Sequence, residues 1–323
     1  MSEKAKLYLG IDTSNYTTSV ALCGEDGENA VNVKLPLPVK DGERGLRQSD
    51  ALFSHTKDMP AAVSMAKEQL GRLYPDGYSI AAVGYSAFPR DREGSYMPCF
   101  LAGQASAEAA AMAAGCRAYP FSHQRGHIMA ALYSAGALHL LGGRFAAFHV
   151  SGGTTEVLLC EPDDELIIKI TEVGRTLDIN AGQAIDRCGV MMGLHFPAGA
   201  ELEKLALSYT GKIKKAKICV SGTDCNLSGL ENKAAEMYRA TGDKAATAAF
   251  VIDFVARTLG AMTDGLIKKY GSMPIIYAGG VMSCSIIKAF LAGDGRYFAE
   301  PVFSSDNAAG IAYLARLKHM KNG

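Results

Sequence analysis

Apolar positions gather in two short blocks near the start of the chain, Leu7–Ile11 and Thr18–Cys23, on either side of the polar stretch Asp12-Thr13-Ser14-Asn15-Tyr16-Thr17. Two strand-length runs around a polar turn predict a β-hairpin with a Ser/Thr-rich tip. The pattern returns at Ala146–Val150, Ser151-Gly152-Gly153-Thr154-Thr155 and Val157–Cys160. Sliding one copy by 137 residues lays Thr17–Cys23 on Thr154–Cys160, and most of the seven positions are identical. Each hairpin is followed by helical stretches: Phe100–Ala114, Ala-rich with Glu108 its only charge, and Ala245–Lys269, apolar at three- and four-residue spacing. A third Gly turn, Ile275–Val281, reads as a strand running into a turn and then a helix from about Ser283. A last helix, Ala308–His319, follows the N-cap cluster Ser304-Ser305-Asp306-Asn307. Two hairpin-led halves with interleaved helices predict an α/β protein of two similar lobes, with a ligand cleft expected between them.

Composition narrows the function classes. The chain has 323 residues, with 33 Lys+Arg against 33 Asp+Glu. A wholly basic nucleic-acid coat and an acidic disordered tail are therefore both excluded. The eight cysteines lie far apart and form no Cys-x-x-Cys pair, which argues against a zinc ribbon or a disulfide scaffold and fits a reduced cytoplasmic protein. The apolar run before Asp12 is too short for a signal-peptide core, and Ile128–Gly143, interrupted by Ser134 and His139, reads as a buried helix rather than a membrane span.

Three motifs carry chemistry. Backbone N–H groups of a Gly/Ser/Thr turn such as Ser151–Thr155 can converge on phosphate oxygens, although a single such turn is also an ordinary tight hairpin. Two further turns of this kind favour nucleotide binding. His123-Gln-Arg-Gly-His127 places two imidazoles one helical turn apart, where they can share a transition metal, and Ser122 can cap that helix. Gln124 stands where the zinc-protease pattern needs Glu, so metal-assisted peptide hydrolysis is disfavoured. An i,i+4 His pair also arises as a plain hydrogen-bonded pair; Asp306 is the candidate third ligand, and plain N-capping is its ordinary role. Asp178 and Asp186 flank a helix start; Asp186 can accept from a ribose hydroxyl pair or be a solvated helix carboxylate, and Gly199 can be only a loop residue. The basic run Lys212–Lys217 reads as a solvated face and is the best local candidate for an RNA contact.

Taken in order, Leu9–Ser14, His123-x-x-Gly-His127, Val150–Gly153, Gly174–Asp178, Ala181-Gly182 with Asp186, Asn226–Leu230, Gly279–Val281 and Ser305–Ala309 resemble the tRNA N6-adenosine threonylcarbamoyltransferase (TsaD) family over nearly the whole chain. The resemblance implies the actin/Hsp70/sugar-kinase (ASKHA) fold, with residues 1–120 and 305–323 as one lobe and 121–304 as the other. It implies one divalent metal, iron or zinc, on His123, His127 and Asp306, with the AMP or ATP moiety held by His149, Val150, Ser151, Gly152, Gly153, Asp186, Gly199, Gly279 and Gly280. His149 stands where some members place a metal-approaching Tyr, which makes it a candidate fourth ligand. The implied reaction moves threonylcarbamoyl from threonylcarbamoyl-AMP to N6 of the adenosine beside the tRNA anticodon, with Asp12 orienting the amine. Zero net charge is too little for a lone tRNA binder, so accessory proteins, a dimer partner and an adenylate-making enzyme, are expected, in the cytoplasm and without a membrane.

The chain departs from the family at several places. Cys-Asp-Glu-Thr reads Asn15-Tyr16-Thr17-Thr18, the Glu between the histidines is Arg125, and the His after Ser-Gly-Gly is Thr154. Gly-Glu-Ala-Phe-Asp reads Gly182-Gln-Ala-Ile-Asp186, an expected Asn is Cys284, and Gly-Pro-Gly-Leu gives way to Phe88–Ser95. A divergent paralogue fits this pattern. An ATP-dependent carbamoyl transferase or small-molecule kinase on the same fold stays open, as does a non-catalytic nucleotide-binding scaffold in a tRNA-modifying complex.

Overall fold

In the computed structural model, which describes residues 4–14, 16–38, 46–300 and 308–322, the first hairpin is strands β1 (Ala5–Asp12) and β2 (Thr17–Gly24), paired antiparallel from Leu7↔Gly24 to Asp12↔Ser19. β3 (Asn29–Pro36) adds antiparallel to β2, while β4 (Tyr78–Phe88) pairs parallel with β1 and β5 (Arg117–Ser122) parallel with β4. The sheet order is β3-β2-β1-β4-β5. The second hairpin, β6 (Phe145–Val150) and β7 (Thr155–Asp163), builds the same plan: β8 (Ile167–Arg175) beyond β7, and the parallel strands β11 (Ile275–Ala278) and β12 (Arg296–Phe298) beyond β6, in the order β12-β11-β6-β7-β8. The 137-residue echo in the sequence is thus an echo of topology. A separate two-stranded ribbon, β9 (Cys219–Ser221) with β10 (Asp224–Asn226), lies outside both sheets.

The chain divides into two compact units, one from Met1–Leu138, Pro162–Lys169 and Ser305–Gly323, the other from His139–Glu161 and Ile170–Ser304. In the first, helices α1 (Gln48–Leu73) and α2 (Phe100–Ala114) pack on the sheet, burying Met59, Ala62, Ala66 and Leu70 of α1 and Ala107 and Ala111 of α2 among Leu7, Ile11, Val20 and Val83. The C-terminal helix α9 (Ala309–Asn322) rests on β1 and β4 through Gly10 and Gly84: a Cβ on Gly10 would lie 2.4 Å from the Ala308 carbonyl, and one on Gly84 2.8 Å from that of Ile311. Helix α3 (His123–Ser134) crosses α9 at another glycine pair, where a Cβ on Gly310 would come within 2.0 Å of the Gly126 carbonyl. That crossing ties α3 to the first unit, so the expected boundary at residue 120 falls instead after Leu138. The apolar run from Ile128 is a buried helix, as its pattern indicated: Ile128 to Leu132 are all buried, and the run ends in a short 3-10 turn, Leu138–Gly142.

The second unit is built around α7 (Lys244–Tyr270), started by Asp243, whose side chain accepts from Ala246 N. It is long and apolar enough to cross a membrane, but 72% of its apolar window is buried inside the protein, where Phe250, Phe254, Leu259 and Leu266 form core. Around it lie α4 (Ala181–Met191), α5 (Gly199–Ser208), α6 (Gly229–Thr241) and α8 (Ser285–Leu291). Glu203 of α5 caps α8 by accepting from Ser285 N and Oγ.

Candidate active site

In the first unit, β5 ends at Ser122 and α3 begins at once. Ser122 is extended (φ −74°, ψ 146°), and its Oγ accepts from Arg125 N at 3.1 Å, the cap expected from the sequence. His123 is thereby the first helical residue and His127 follows one turn later, with ring centroids 4.2 Å apart and planes at 71°. Asp12, at the end of β1, meets this turn: its Oδ2 lies 2.9 Å from His123 Nδ1 and its Oδ1 accepts from Ser14 N at 2.9 Å. A carboxylate only accepts, so Nδ1 of His123 carries a proton toward Asp12, and Nε2 lies 3.4 Å from Ser14 Oγ. Phe100 meets the His123 ring in a T-shaped contact, 6.3 Å between centroids. Asp12 is 1% exposed, with one carboxylate oxygen on the His123 ring and the other on Ser14 N.

Among the described residues no three His, Cys, Asp or Glu side chains cluster as a metal site. Asp306, the expected third ligand, and Asn15 of the altered hairpin lie outside the described residues. The donors that are placed nevertheless suit a borderline divalent ion such as iron or zinc: two imidazoles on successive turns, one of them oriented by a carboxylate behind it.

Beside this pair is a charged contact that the sequence reading did not anticipate. Arg125, between the histidines, is 2% exposed, and its Nη2 lies 2.7 Å from Asp91 Oδ1. Burial pushes the guanidinium pKa down, while the charges of Asp91 and Asp163 pull it back up. The contact is a close ion pair of a nearly buried guanidinium with a part-buried carboxylate. Asp91 Oδ2 in turn accepts from Ser122 Oγ at 2.7 Å.

In the second unit, the turn Ser151-Gly152-Gly153-Thr154 joins β6 to β7. Ser151 N donates to Thr154 O at 2.7 Å, and Ser151 Oγ accepts from Gly153 N (3.2 Å) and Thr154 N (3.1 Å). The helix α4 abuts it: Gly182 N donates to Ser151 O, Ala181 N to Thr155 Oγ1, and a Cβ on Gly182 would lie 2.7 Å from Gly152 Cα. The parallel register Ala278↔His149 sets Gly279 beside Val150; Gly279 has φ +101°, and a Cβ there would meet the Val150 carbonyl at 2.3 Å. One turn along α4 from Gly182, Asp186 Oδ1 accepts from Ala198 N at 2.8 Å, which fixes it next to Gly199, the first residue of α5. Burial raises the Asp186 pKa, opposed by that N–H. Val150–Gly153, Gly279, Gly182, Asp186 and Gly199 therefore form one continuous chain of contacts within the unit. His149 pairs across strands with buried Glu156, Nδ1 to Oε1 at 3.7 Å.

Asp178 has a different role from its neighbour in the sequence. It accepts from Leu227 N, Ser228 N, Ser228 Oγ and Ile179 N at 2.6–3.0 Å, stapling the approach to α4 to the start of α6. The run Lys212–Lys217 has no regular structure and its lysines are largely exposed, with Lys217 O accepting from Lys233 Nζ. Cavities of about 620 and 510 Å³ beside α7, lined by Val220, Gly265 and Lys268 and by Gly260, Tyr277 and Phe290, share no residue with the Gly turns.

A family model described as TsaD, tRNA N6-adenosine threonylcarbamoyltransferase, matches residues 64–313, well over half of the chain. Among solved structures, the phosphate- and nucleotide-bound form of full-length HypF aligns with 99% of this chain and 55% of its own at TM-score 0.58 and 12% identity. T. kodakarensis HypF aligns with 98% and 48% at 0.57 and 12%. The Acidaminococcus fermentans (R)-2-hydroxyglutaryl-CoA dehydratase component A aligns with 98% and 100% at 0.52 and 14%. The chain spans about half the length of the HypF proteins it matches. At these identities the likeness shows the fold, an α/β architecture of the actin/Hsp70/sugar-kinase type.

Proposed function

Because the chain belongs to the tRNA N6-adenosine threonylcarbamoyltransferase (TsaD) family, a transferase family, we infer that it transfers a threonylcarbamoyl group from threonylcarbamoyl-AMP to N6 of the adenosine adjacent to a tRNA anticodon. The observation that carries this reading is the Asp12–His123–His127 arrangement, in which a buried carboxylate holds Nδ1 of an imidazole that meets a second one edge-on. His123 and His127 would hold a divalent iron or zinc ion, with Asp306 as the proposed third ligand. When bound, such an ion supplies Lewis acidity toward carbamoyl and phosphate oxygens.

The chain's own residues account for the remaining roles. Asp12 keeps the Nδ1 proton of His123 in place, so that Nε2 stays a ligand. The Gly153 and Thr154 N–H groups, which bond Ser151 Oγ at 3.1–3.2 Å, would turn to phosphate oxygens of the adenylate, a stronger, charged acceptor. Asp186 would accept from the ribose hydroxyls, with Gly199 and the Gly279-Gly280 turn leaving the backbone bare for the nucleotide. In the transfer the N6 amine bonds to the carbamoyl carbon, the bond from that carbon to the phosphate oxygen breaks, AMP leaves with the electron pair, and the amine proton passes to solvent. The equal numbers of acidic and basic residues support a shared RNA surface, so accessory proteins and a cytoplasmic setting belong to the same proposal.

The test is reconstitution with synthetic threonylcarbamoyl-AMP, tRNA and the accessory proteins, read by nucleoside mass spectrometry. Modified adenosine from the wild type and none from His127→Ala is expected. Modification that persists in His127→Ala after its metal is lost would contradict the mechanism, and ATP cleavage without RNA would move the assignment to a carbamoyl transferase or kinase.

A further inference from the structure

Two of the places where the chain departs from its family meet in space. Arg125 replaces a Glu between the histidines, and Asp91 belongs to the loop Phe88–Ser95 that replaces a glycine-rich one. The loop supplies partners to the first turn of α3 at three points: Asp91 Oδ1 to Arg125 Nη2 at 2.7 Å, Asp91 Oδ2 to Ser122 Oγ at 2.7 Å, and Pro89 O to Gln124 N at 3.1 Å. Gln124 N is one of the donors a helix start leaves without an internal acceptor, and Ser122 is the cap of that helix. The loop is also braced within itself, Arg90 N donating to Ser95 Oγ at 3.0 Å and Ser95 N to Arg92 O at 3.2 Å, around a cavity of about 510 Å³ lined by Phe88, Asp91, Arg92 and Tyr96. His123 is the residue between the cap and Gln124, so whatever fixes this turn fixes the imidazole on Asp12.

We propose that Arg125 and Asp91 form a clamp, with Arg125 a positioning residue that locks the 88–95 loop onto the start of α3 and so holds His123 in register with Asp12 and His127. The charge reversal at position 125 is matched by an acid on the loop: a buried guanidinium with no counter-charge would be expelled, and the turn would move with it. The clamp's bearing on turnover rests on the function proposed above; its bearing on loop order and on the histidine pair does not.

The full chain is compared as wild type, Asp91→Asn, Arg125→Lys and Arg125→Met. Three readouts are taken: tryptic cleavage after Arg90 and Arg92, zinc affinity by chelator competition, and the separate KM and kcat of the transfer. Asp91→Asn keeps the side-chain shape and removes the charge. It is expected to speed loop cleavage several-fold and to weaken zinc binding, by less than the roughly 10- to 100-fold that a group bonded directly to a ligand commands. Its kcat is expected to fall with little change in KM, and Arg125→Lys to recover part of each effect. Asp91→Asn with unchanged cleavage and unchanged zinc affinity overturns the clamp, even if Arg125→Met fails to fold. A wild type without transfer activity whose Asp91→Asn variant still loosens loop and metal upholds the clamp and defeats the functional reading.

Discussion

The crossing of α3 and α9 gives the sharpest quantitative test. A Cβ on Gly310 would sit 2.0 Å from the Gly126 carbonyl oxygen and 2.8 Å from Ala130 N, both backbone atoms of α3. Ordinary contact begins near 3.4 Å, so α3 must back away by about 1.4 Å to admit one methyl group. Helix propensity pulls the other way, because Ala in place of Gly is worth up to about 1 kcal/mol. Overpacking against backbone costs about 1–3 kcal/mol or more, so the steric term wins and Gly310→Ala is destabilising. The same displacement exceeds what the 2.9 Å bond from Asp12 to His123 can absorb, so, on the metal site proposed above, zinc affinity should fall with stability. Two glycines calibrate the result. A Cβ on Gly126 meets only the side chain of Ile311, at 2.8 Å, which can shift, so Gly126→Ala costs less; Gly71, exposed in α1 with nothing within 4 Å, gives a stabilised Gly71→Ala. Urea unfolding of the three variants, with zinc titration of each, reads the order directly. A Gly310→Ala protein as stable as Gly71→Ala, with unaltered zinc affinity, would refute the crossing.

Other consequences follow from single contacts. Asp12→Asn can either donate to or accept from Nδ1 of His123, so, on the metal site proposed above, zinc affinity measured by chelator competition drops by about 10- to 100-fold while the fold persists. Gly279→Ala combines φ +101° with a 2.3 Å approach to Val150 O; the left-handed backbone alone costs about 1–2 kcal/mol, and AMP binding followed by calorimetry should be lost with it. For Asp178, burial acts to raise the pKa, but the N–H groups of Leu227, Ser228 and Ile179 and the Ser228 hydroxyl overcome it and hold the carboxyl well below the usual range. A depressed native pKa means its stabilisation is complete above the unfolded value near 3.9 and fades as pH falls through the native one. Wild type and Asp178→Asn should therefore differ in urea midpoint at neutral pH and begin to converge only as the pH falls below about 4; a difference that grows on acidification would reverse the sign of the argument.

Much of the first-order pattern could be read from local chemistry. Both hairpins, the Ser122 cap and the helices around Phe100–Ala114, Ala245–Lys269 and Ala308–His319 are encoded by residues within a few positions of one another. The stretch after Ile275–Ala278 was harder: a 3-10 turn, Gly280–Ser283, intervenes before α8 starts at Ser285, because Gly279 takes a positive φ that a helix cannot continue. What stayed hidden was long-range. Nothing in His123-Gln-Arg-Gly-His127 says that its glycine is where α9 presses, nor that Arg125 finds Asp91 across a β4–β5 connection. Asp178 was noticed for its place before a helix, yet its partners at Leu227 and Ser228 come from the next layer of structure.

The departures from the family pattern fall on two kinds of site, and the difference bears on what the protein does. In the second unit Gln183 accepts from Asn180 N through its side chain, but Thr154 and Cys284 sit where the backbone makes the contacts. Thr154 replaces a His, but the turn closes through Ser151 N to Thr154 O and through Thr154 N to Ser151 Oγ, whatever side chain position 154 carries. Cys284 replaces an Asn as a buried residue at the start of α8, its thiol pKa raised by burial, while Gly279 and Gly182 keep the close backbone approaches. In the first unit the departures change side chains that themselves make the contacts, as Arg125 does with Asp91 beside the histidine pair. A turn closed by its backbone survives substitution, and a centre built from side chains is retuned by it. On the function proposed above, adenylate affinity is therefore the property expected to tolerate these differences, and the rate and choice of acceptor the ones expected to respond to them.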